Sequence, residues 1–181
     1  MIPQPPLLNP YLDLRRALEA QPEKLQLELR KKLIWAYSWA VPSNEAIHRI
    51  AELGPMVELG CGTGYWAWLI AQAGGRPRAL DRSSTQPPRW TEISPGNPQD
   101  LASASEETLL LCWPPLNEDM ADQALAAFQG SHVVYVGEWR GRTANPAFHD
   151  QLELNWVRTE VIPLPSWPGY HDQVLIWTRR S

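Results

Sequence analysis

The chain has little of what several protein classes need. Only two of its 181 residues are cysteines, Cys61 and Cys112, and they show neither a disulfide framework nor the ligand spacing of a zinc site. No apolar run approaches the length of a membrane span, and the first residues lack the basic and apolar regions of a signal peptide. The net charge of −4 provides no basic excess for phosphate contacts. We therefore expect a cytoplasmic protein without a metal site, a membrane partner or a general nucleic-acid surface.

The length and composition suit a single globular unit. Of the residues, 44% are hydrophobic and 20% are charged, which is enough for one sizeable core. The first ten residues carry four of the eighteen prolines and predict an extended arm. Apolar spacing then predicts helices over 11–20 and 22–40, with a third from Ser43 to Gly54. We expect residues 1–42 to form an arm and helical cap, and residues 43–181 to form the ligand-binding domain.

From Met56 onward, short strands alternate with helices, a pattern typical of a parallel sheet with crossover helices. We expect strands near 56–59, 77–81, 90–93, 107–112 and 132–137, with helices near 65–73, 98–104, 117–129 and 145–153. Two further strands, 155–162 and 172–178, are separated by a loop too short for a helical crossover and should be antiparallel. The predicted fold is a Rossmann-like α/β structure. It has about seven strands in a mostly parallel sheet that ends in an antiparallel hairpin, helices on both faces and an N-terminal helical cap.

Residues 57–64, Val-Glu-Leu-Gly-Cys-Gly-Thr-Gly, are the most informative segment. A buried strand enters a turn with three alternating glycines, and a helix follows, so backbone N–H groups can face a ligand closely. Asp81 ends the next strand, where its carboxylate could accept both hydroxyls of a ribose. A dinucleotide fingerprint would need glycine at Tyr65, and a phosphate-binding P-loop would need a Gly-Lys-Ser/Thr ending that is absent.

This segment resembles motif I of the class I S-adenosylmethionine-dependent methyltransferases. The resemblance implies that Glu58 is the motif's acidic residue, that Gly60, Gly62 and Gly64 are its glycines, and that Asp81 holds the cofactor ribose. It implies S-adenosylmethionine as the cofactor. We also expect the cofactor to be contacted by Tyr37, Cys61, Tyr65, Arg82 and Cys112. A glycine-rich turn in an α/β protein that binds another ligand stays open as the alternative.

The acceptor side is predicted from the loops after the fourth and fifth strands, because ligands bind beyond the carboxyl ends of parallel strands. Trp113-Pro114-Pro115-Leu116 resembles, in part, the Asn/Asp-Pro-Pro-aromatic motif of amino-group methyltransferases. Trp113 replaces the amine-orienting residue and Leu116 replaces the aromatic, so amino-group methylation is not implied. A tight strand-to-helix turn explains the prolines equally well. We expect Trp113 to contact the acceptor.

Glu138 follows the fifth strand and is the candidate proton acceptor, since a carboxylate there could hold a proton of the nucleophile. The alternative is a surface glutamate paired with Arg140 or Arg142. The neighbouring pairs His149-Asp150 and His171-Asp172 are not expected to act as dyads, because adjacent side chains point in different directions.

Ten tryptophans are unusual for this length, and Trp113, Trp139 and Trp167 fall in loops at the predicted ligand edge. They favour either an aromatic-walled pocket or the packing of long loops over a small sheet. The predicted function is transfer of a methyl group from S-adenosylmethionine to a small-molecule or peptide acceptor, with residues 37–39 capping the methionine end. The alternatives are a cofactor-binding protein without transferase activity, and a nucleic-acid or protein modifier that works with a partner.

Overall fold

Seven strands and six α-helices occur within residues 6–83 and 88–180, the part of the chain that the computed structural model describes. The strands are β1 (Pro55–Leu59), β2 (Arg76–Asp81), β3 (Ile93–Pro95), β4 (Thr108–Cys112), β5 (His132–Gly137), β6 (Trp156–Pro163) and β7 (Gln173–Arg179). The helices are α1 (Pro10–Ala17), α2 (Glu23–Ala36), α3 (Asn44–Ala51), α4 (Tyr65–Gln72), α5 (Met120–Ala127) and α6 (Pro146–Asn155). A 3-10 helix covers Pro98–Ser103.

All seven strands form one sheet in the order β3-β2-β1-β4-β5-β7-β6. The pairs from β3 across to β5 are parallel. Strand β7 is antiparallel to both β5 and β6, because the short 164–172 connection allows only a hairpin between β6 and β7. The predicted sheet, with its antiparallel end, is confirmed.

Helices cover both faces of the sheet, as predicted. Successive residues of the inner strands alternate between two hydrophobic clusters, with Met56 in one and Val57 in the other. The first cluster packs under α1, α3 and α4, and the second packs under the 3-10 helix, α5 and α6. Because β1, β4 and β5 are buried on both faces, these strands carry nearly continuous apolar runs rather than an alternating pattern.

The N-terminal cap is part of the first cluster. The side chain of Asn9 accepts the backbone N–H of Leu12 at 3.2 Å and donates to the carbonyl of Pro42 at 2.9 Å, which starts α1 and ties it to the entry of α3. Tyr11 and Val41 are fully buried in the same core as the sheet. Helix α2 differs, since its buried residues are only Gln26 and Arg30.

Several predicted boundaries are wrong, among them the end of α1, which lies at Ala17 rather than at residue 20. The third strand is Ile93–Pro95 rather than 90–93, because the backbone N–H of Trp90 bonds the carbonyl of Thr63 at 2.9 Å and its indole bonds that of Ala36 at 2.8 Å. Helix α2 ends at Ala36, four residues early, and α5 begins at Met120, three residues late.

The arm expected over residues 1–10 lies partly outside the described residues. Within the described part, no helix is both long and apolar enough to cross a membrane.

Candidate active site

A cavity of about 750 Å³ opens at the carboxyl edge of β1, β2 and β4. The end of α2 and the segment after it form its opposite wall. Most of the predicted site residues line it together: Tyr37, Glu58, Gly60, Cys61, Gly62, Asp81, Arg82, Cys112 and Trp113. The lining does not include Gly64, Tyr65 or Glu138.

The glycine turn between β1 and α4 adopts left-handed backbone conformations, with φ of +56° at Gly62 and +74° at Gly64. At Gly64 a Cβ would stand 2.8 Å from Cγ2 of Thr91, so that position has both a conformational and a steric need for glycine. At Gly62 a Cβ would meet no atom within 4 Å. The backbone at Gly62 is therefore open to the cavity, where a ligand can approach it.

Asp81 ends β2 beside this turn. Its Oδ2 accepts the backbone N–H of Gly62 at 2.9 Å, and its Oδ1 accepts that of Ser83 at 2.9 Å. A carboxylate oxygen can accept more than one hydrogen bond, so both oxygens keep acceptor capacity toward the cavity. The two N–H donors fix the orientation of a group suited to paired hydroxyls.

Glu58 acts first as a cap for α4. Its carboxylate accepts the backbone N–H of Ala67, in the first turn of the helix, at 3.1 Å. Gly64, the residue at the N-cap position, has no side chain to do this. Burial of Glu58, assisted by the nearby charge of Asp81, raises its pKa to about 8. The motif's acid thus joins the end of β1 to the start of the helix while facing the cavity.

The segment after α2 is fixed to the glycine turn by side chains. The hydroxyl of Thr63 donates to the carbonyl of Tyr37, and the indole of Trp66 donates to Oγ of Ser38 at 3.2 Å. The ring of Tyr37 stacks on Trp90, with centroids 5.3 Å apart. Residues 37–38 therefore form a held wall of the cavity, on the side where the sequence placed the cofactor's methionine end.

Tyr65, predicted as a cofactor contact, points away from the cavity. It is fully buried, its hydroxyl donates to Oδ1 of Asn9 at 2.8 Å, and its oxygen accepts the backbone N–H of Tyr11 at 3.2 Å. The residue joins α4 to α1. Gly64 is likewise absent from the lining, and its contribution is the shape of the turn.

On the acceptor side, Trp113 lines the cavity from a left-handed backbone conformation with φ of +52°, which is rare for a bulky residue. Its backbone N–H bonds the carbonyl of Val136 at 2.8 Å, and its indole N–H bonds Oδ1 of Asp172 at 2.6 Å. Its ring stacks on Trp39, with centroids 5.1 Å apart and planes 13° apart. These contacts hold a Trp39–Trp113 pair at the mouth of the cavity.

The carbonyl oxygen of Pro114, in the rigid turn after β4, accepts a hydrogen bond from another loop. That oxygen accepts the backbone N–H of Ala144 at 2.8 Å. In the resembling amino-group methyltransferases the proline carbonyl helps to hold the amine, whereas here it joins two loops. The replacement at Trp113 removes one amine-holding group of that motif, and the carbonyl of Pro114 keeps one lone pair free beside this bond.

Glu138 lies outside the cavity lining and is only 7% exposed. Its Oε1 accepts the backbone N–H of His171 at 2.9 Å and pairs with Arg142 at 3.2 Å. Glu138 is therefore paired with Arg142 but is buried rather than at the surface, and Arg140 pairs instead with Asp150. A role for Glu138 as a proton acceptor stays a prediction without support from its position.

The remaining candidates are packing groups. His149 bonds the carbonyl of Thr143 at 3.0 Å, and burial lowers its pKa. The indole of Trp167 is buried, and its N–H donates to the hydroxyl of Tyr11. Trp139 packs in the second cluster. Of the three loop tryptophans, Trp113 alone lines the cavity.

Burial also raises the pKa of the thiols of Cys61 and Cys112, which keeps both neutral. Neutral thiols are poor nucleophiles and poor metal ligands. No group of metal-ligating side chains occurs among the residues that the structure describes.

Sequence reasoning missed two parts of the cavity. One is the turn after β3, and the other is the loop and first turn leading into α5, which supply Gly96, Asn97, Pro98, Glu118, Asp119 and Gln123. The rule that ligands meet the carboxyl ends of parallel strands applies to β3 as well. This rule is the one sequence signal that could have identified the turn after β3. Trp39, expected among the residues that cap the methionine end, lines the cavity together with Trp35.

Comparison with solved structures identifies the fold. The chain is similar to the 1,6-didemethyltoxoflavin-N1-methyltransferase of Burkholderia thailandensis, solved with 1,6-didemethyltoxoflavin and S-adenosylhomocysteine bound. Identity is 16%, coverage is 90% of this chain and 92% of that chain, and the TM-score is 0.57. It is also similar to the magnesium protoporphyrin IX methyltransferase of Synechocystis PCC 6803, solved with S-adenosylmethionine bound, at 12% identity, 96% and 92% coverage and a TM-score of 0.54.

The chain has the class I methyltransferase fold. Neither a protein-family model nor a curated protein sequence matches it. In this methyltransferase fold, the cavity described above lies between the glycine turn after β1 and the Trp113 turn after β4. The resemblance seen in motif I is thus confirmed at the level of the fold.

Proposed function

We propose that the protein is a methyltransferase that uses S-adenosylmethionine. One observation carries the proposal: the open backbone at Gly62 and the carboxylate of Asp81 are bonded to each other and line one cavity. The open backbone at Gly62 lets a ligand approach closely, and the carboxylate of Asp81 provides two acceptors for the hydroxyls of a ribose. The solved relatives of this fold named above contain S-adenosylmethionine or its demethylated product.

The lining residues fit that cofactor. Asp81 would hold the ribose hydroxyls, and the glycine turn with Tyr37 would hold the methionine part. Gly96 and Asn97, which follow β3 and line the same cavity, would hold the adenine. When bound, the cofactor supplies a methyl group on a positively charged sulfur. The carboxyl groups of Asp81 and Asp119 line the cavity and suit a ligand with positive charge, whereas Glu118 is paired with Arg82.

The chain's own contribution to transfer would be positioning. Methyl transfer requires the nucleophile to be aligned with the methyl group, and alignment alone accounts for a large part of many rate enhancements. The Trp113 side chain is held by one hydrogen bond from its indole N–H to Asp172 and by stacking on Trp39, so it offers a fixed surface for an acceptor. We propose a small molecule or a peptide as that acceptor. A cytoplasmic location remains a prediction from the sequence.

A second candidate is a protein that binds the cofactor without transferring its methyl group. Two observations favour it: Glu138 lies outside the cavity, and the carbonyl of Pro114 already accepts the N–H of Ala144. Cofactor binding alone does not separate the two candidates, whereas transfer of label does.

Calorimetry with S-adenosylhomocysteine is the first test. The wild type should bind it, and Asp81→Ala should bind it at least about tenfold more weakly, because two hydroxyls lose a charged acceptor. Asp150→Ala, which removes an exposed carboxylate on α6, is the matched control and should bind like the wild type. Absence of binding by the wild type would overturn the proposal, and comparable binding of NADH would favour a dinucleotide-binding protein.

The second test is incubation with methyl-labelled S-adenosylmethionine and a cell extract, read by mass spectrometry. Transfer that Asp81→Ala abolishes and Asp150→Ala retains would establish the enzyme. Cofactor binding without any labelled product would favour the second candidate.

A further inference from the structure

Arg30, on α2, has an unusual position behind the cavity wall. The residue is 6% exposed, yet its Nε and Nη2 are buried and have no hydrogen-bond partner among the described residues. A buried donor without a partner is destabilising, and arginine is charged at all ordinary pH values. Such a group favours an acidic partner close by, and within the folded chain the carboxyl of Asp172 interacts with it only through charge, without a hydrogen bond.

Three aromatic rings surround the guanidinium of Arg30. Its Cζ lies 5.6 Å from the ring centroid of Trp39, 5.6 Å from that of Trp113 and 3.9 Å from that of Tyr170. Ring faces attract a cation, but they do not accept in-plane N–H bonds as a carboxylate does. Asp172 shares these surroundings, but its Oδ1 accepts the indole N–H of Trp113 and its Oδ2 is also without a partner. The N–H groups of Arg30 therefore remain available.

The Trp39–Trp113 pair gives this charge a defined geometry relative to the cavity. The two rings are nearly parallel, both line the cavity, and Trp39 is 46% exposed while Asp172 holds Trp113. Trp39 also lies in the irregular segment between α2 and α3, where a side chain can turn outward more freely than in a helix. Its ring thus occupies the place that a planar ligand stacked on Trp113 would take. That place is 5.6 Å from the guanidinium carbon of Arg30.

We propose that the acceptor is a planar aromatic molecule that carries an acidic group. Its ring stacks on Trp113 in the place of Trp39, and its acidic group pairs with the free N–H groups of Arg30. An acidic substituent on a ring in that place lies near the guanidinium, so one molecule can make both contacts. This inference deepens the proposed function and rests on it, because it treats the Trp113 side of the cavity as the acceptor side.

The test uses three probes that separate ring from charge: 2-naphthoate, the neutral 2-naphthamide, and cyclohexanecarboxylate, which has the charge without the aromatic ring. Calorimetry at pH 7.5 measures each on the full chain, with and without saturating S-adenosylhomocysteine. We expect 2-naphthoate to bind at least about tenfold more tightly than either of the other two, as for a charge-assisted hydrogen bond added to stacking. Equal affinities for 2-naphthoate and 2-naphthamide would overturn the inference, whether or not any variant folds.

Two variants then test whether Arg30 is the residue that binds the acidic group of the probe. Arg30→Met should remove the preference for 2-naphthoate over 2-naphthamide. Arg142→Met is the matched control, because Arg142 also lies over Tyr170, at 4.6 Å, but is paired with Glu138 and should leave the preference intact. Circular dichroism checks that each variant is folded. A preference that survives in folded Arg30→Met, or is lost equally in Arg142→Met, would contradict the assignment.

The two proposals fail separately. Wild-type protein that does not bind S-adenosylhomocysteine refutes the proposed function, whatever the probes show. Protein that binds S-adenosylhomocysteine but does not distinguish 2-naphthoate from 2-naphthamide refutes only the aromatic-acid acceptor.

Discussion

Replacing Glu58 by glutamine should change how stability depends on pH. Burial raises the pKa of this carboxyl from 4.5 to about 8 in the folded chain. Between those values the folded state holds a proton that the unfolded state releases. The stability of the wild type is then highest below about pH 4.5 and falls as pH rises to about 8. Glutamine keeps the oxygen that accepts the N–H of Ala67 but carries no titrating proton, so this part of the pH dependence should disappear.

The size of the effect follows from the two pKa values. One proton changes the free energy of unfolding by at most about 1.4 kcal/mol per pH unit, so the whole interval bounds the difference at about 5 kcal/mol. Water entering around a charged Glu58 would reduce it. We therefore expect Glu58→Gln to gain on the wild type by roughly 1 kcal/mol per pH unit between pH 5 and pH 8.

Urea denaturation at pH 5, 6, 7 and 8 measures this difference directly. Comparing variant with wild type at each pH cancels other groups that titrate in the same range, such as Asp172, whose pKa burial raises to about 6. Glu106→Gln, at an exposed turn position, is the control and should follow the wild type. A difference between Glu58→Gln and the wild type that stays constant across pH, or shrinks as pH rises, would refute the reasoning.

Three further results are expected. Gly62→Ala and Gly74→Ala should each lose about 1–2 kcal/mol by urea denaturation, since both have positive φ and open space at Cβ. Calorimetry should show weaker S-adenosylhomocysteine binding only for Gly62→Ala, and equal weakening would place the ligand elsewhere. Trp113→Phe should lose about 1–3 kcal/mol of stability, because Asp172 loses its indole donor; a loss under about 0.5 kcal/mol would speak against that bond. Glu138→Gln should retain nearly all transfer of the labelled methyl group. A loss of transfer rate of about 10²-fold or more would instead support Glu138 as a general base.

The parts of the structure that sequence could predict are those that depend on local pattern. The run from β1 through the glycine turn into α4 combines a buried strand, residues able to adopt positive φ and an apolar helix face, and each of these is visible within twenty residues. Asp81 was predictable because it directly ends an apolar strand. The short 164–172 connection made the antiparallel end of the sheet equally clear.

The parts that could not be predicted depend on distant pairings. Trp90 was assigned to a strand because of its residue type, but its bonds to Thr63 and Ala36 hold it in a loop. Glu138 does follow a strand at the ligand edge, as expected. Its direction, however, is set by His171, from a loop more than thirty residues later. Propensity acts over a few residues and has no information about such partners.

The sparse packing of α2 has a consequence for how this protein could change. The helix presents Ile34 and Trp35 to the cavity, yet it buries only Gln26 and Arg30. Substitutions at exposed helix positions usually change stability by less than about 0.5 kcal/mol. New side chains at the cavity wall can therefore accumulate without loss of the sheet. Mutational drift and laboratory libraries can therefore change the α2 side of the cavity wall while the glycine turn and Asp81 stay the same.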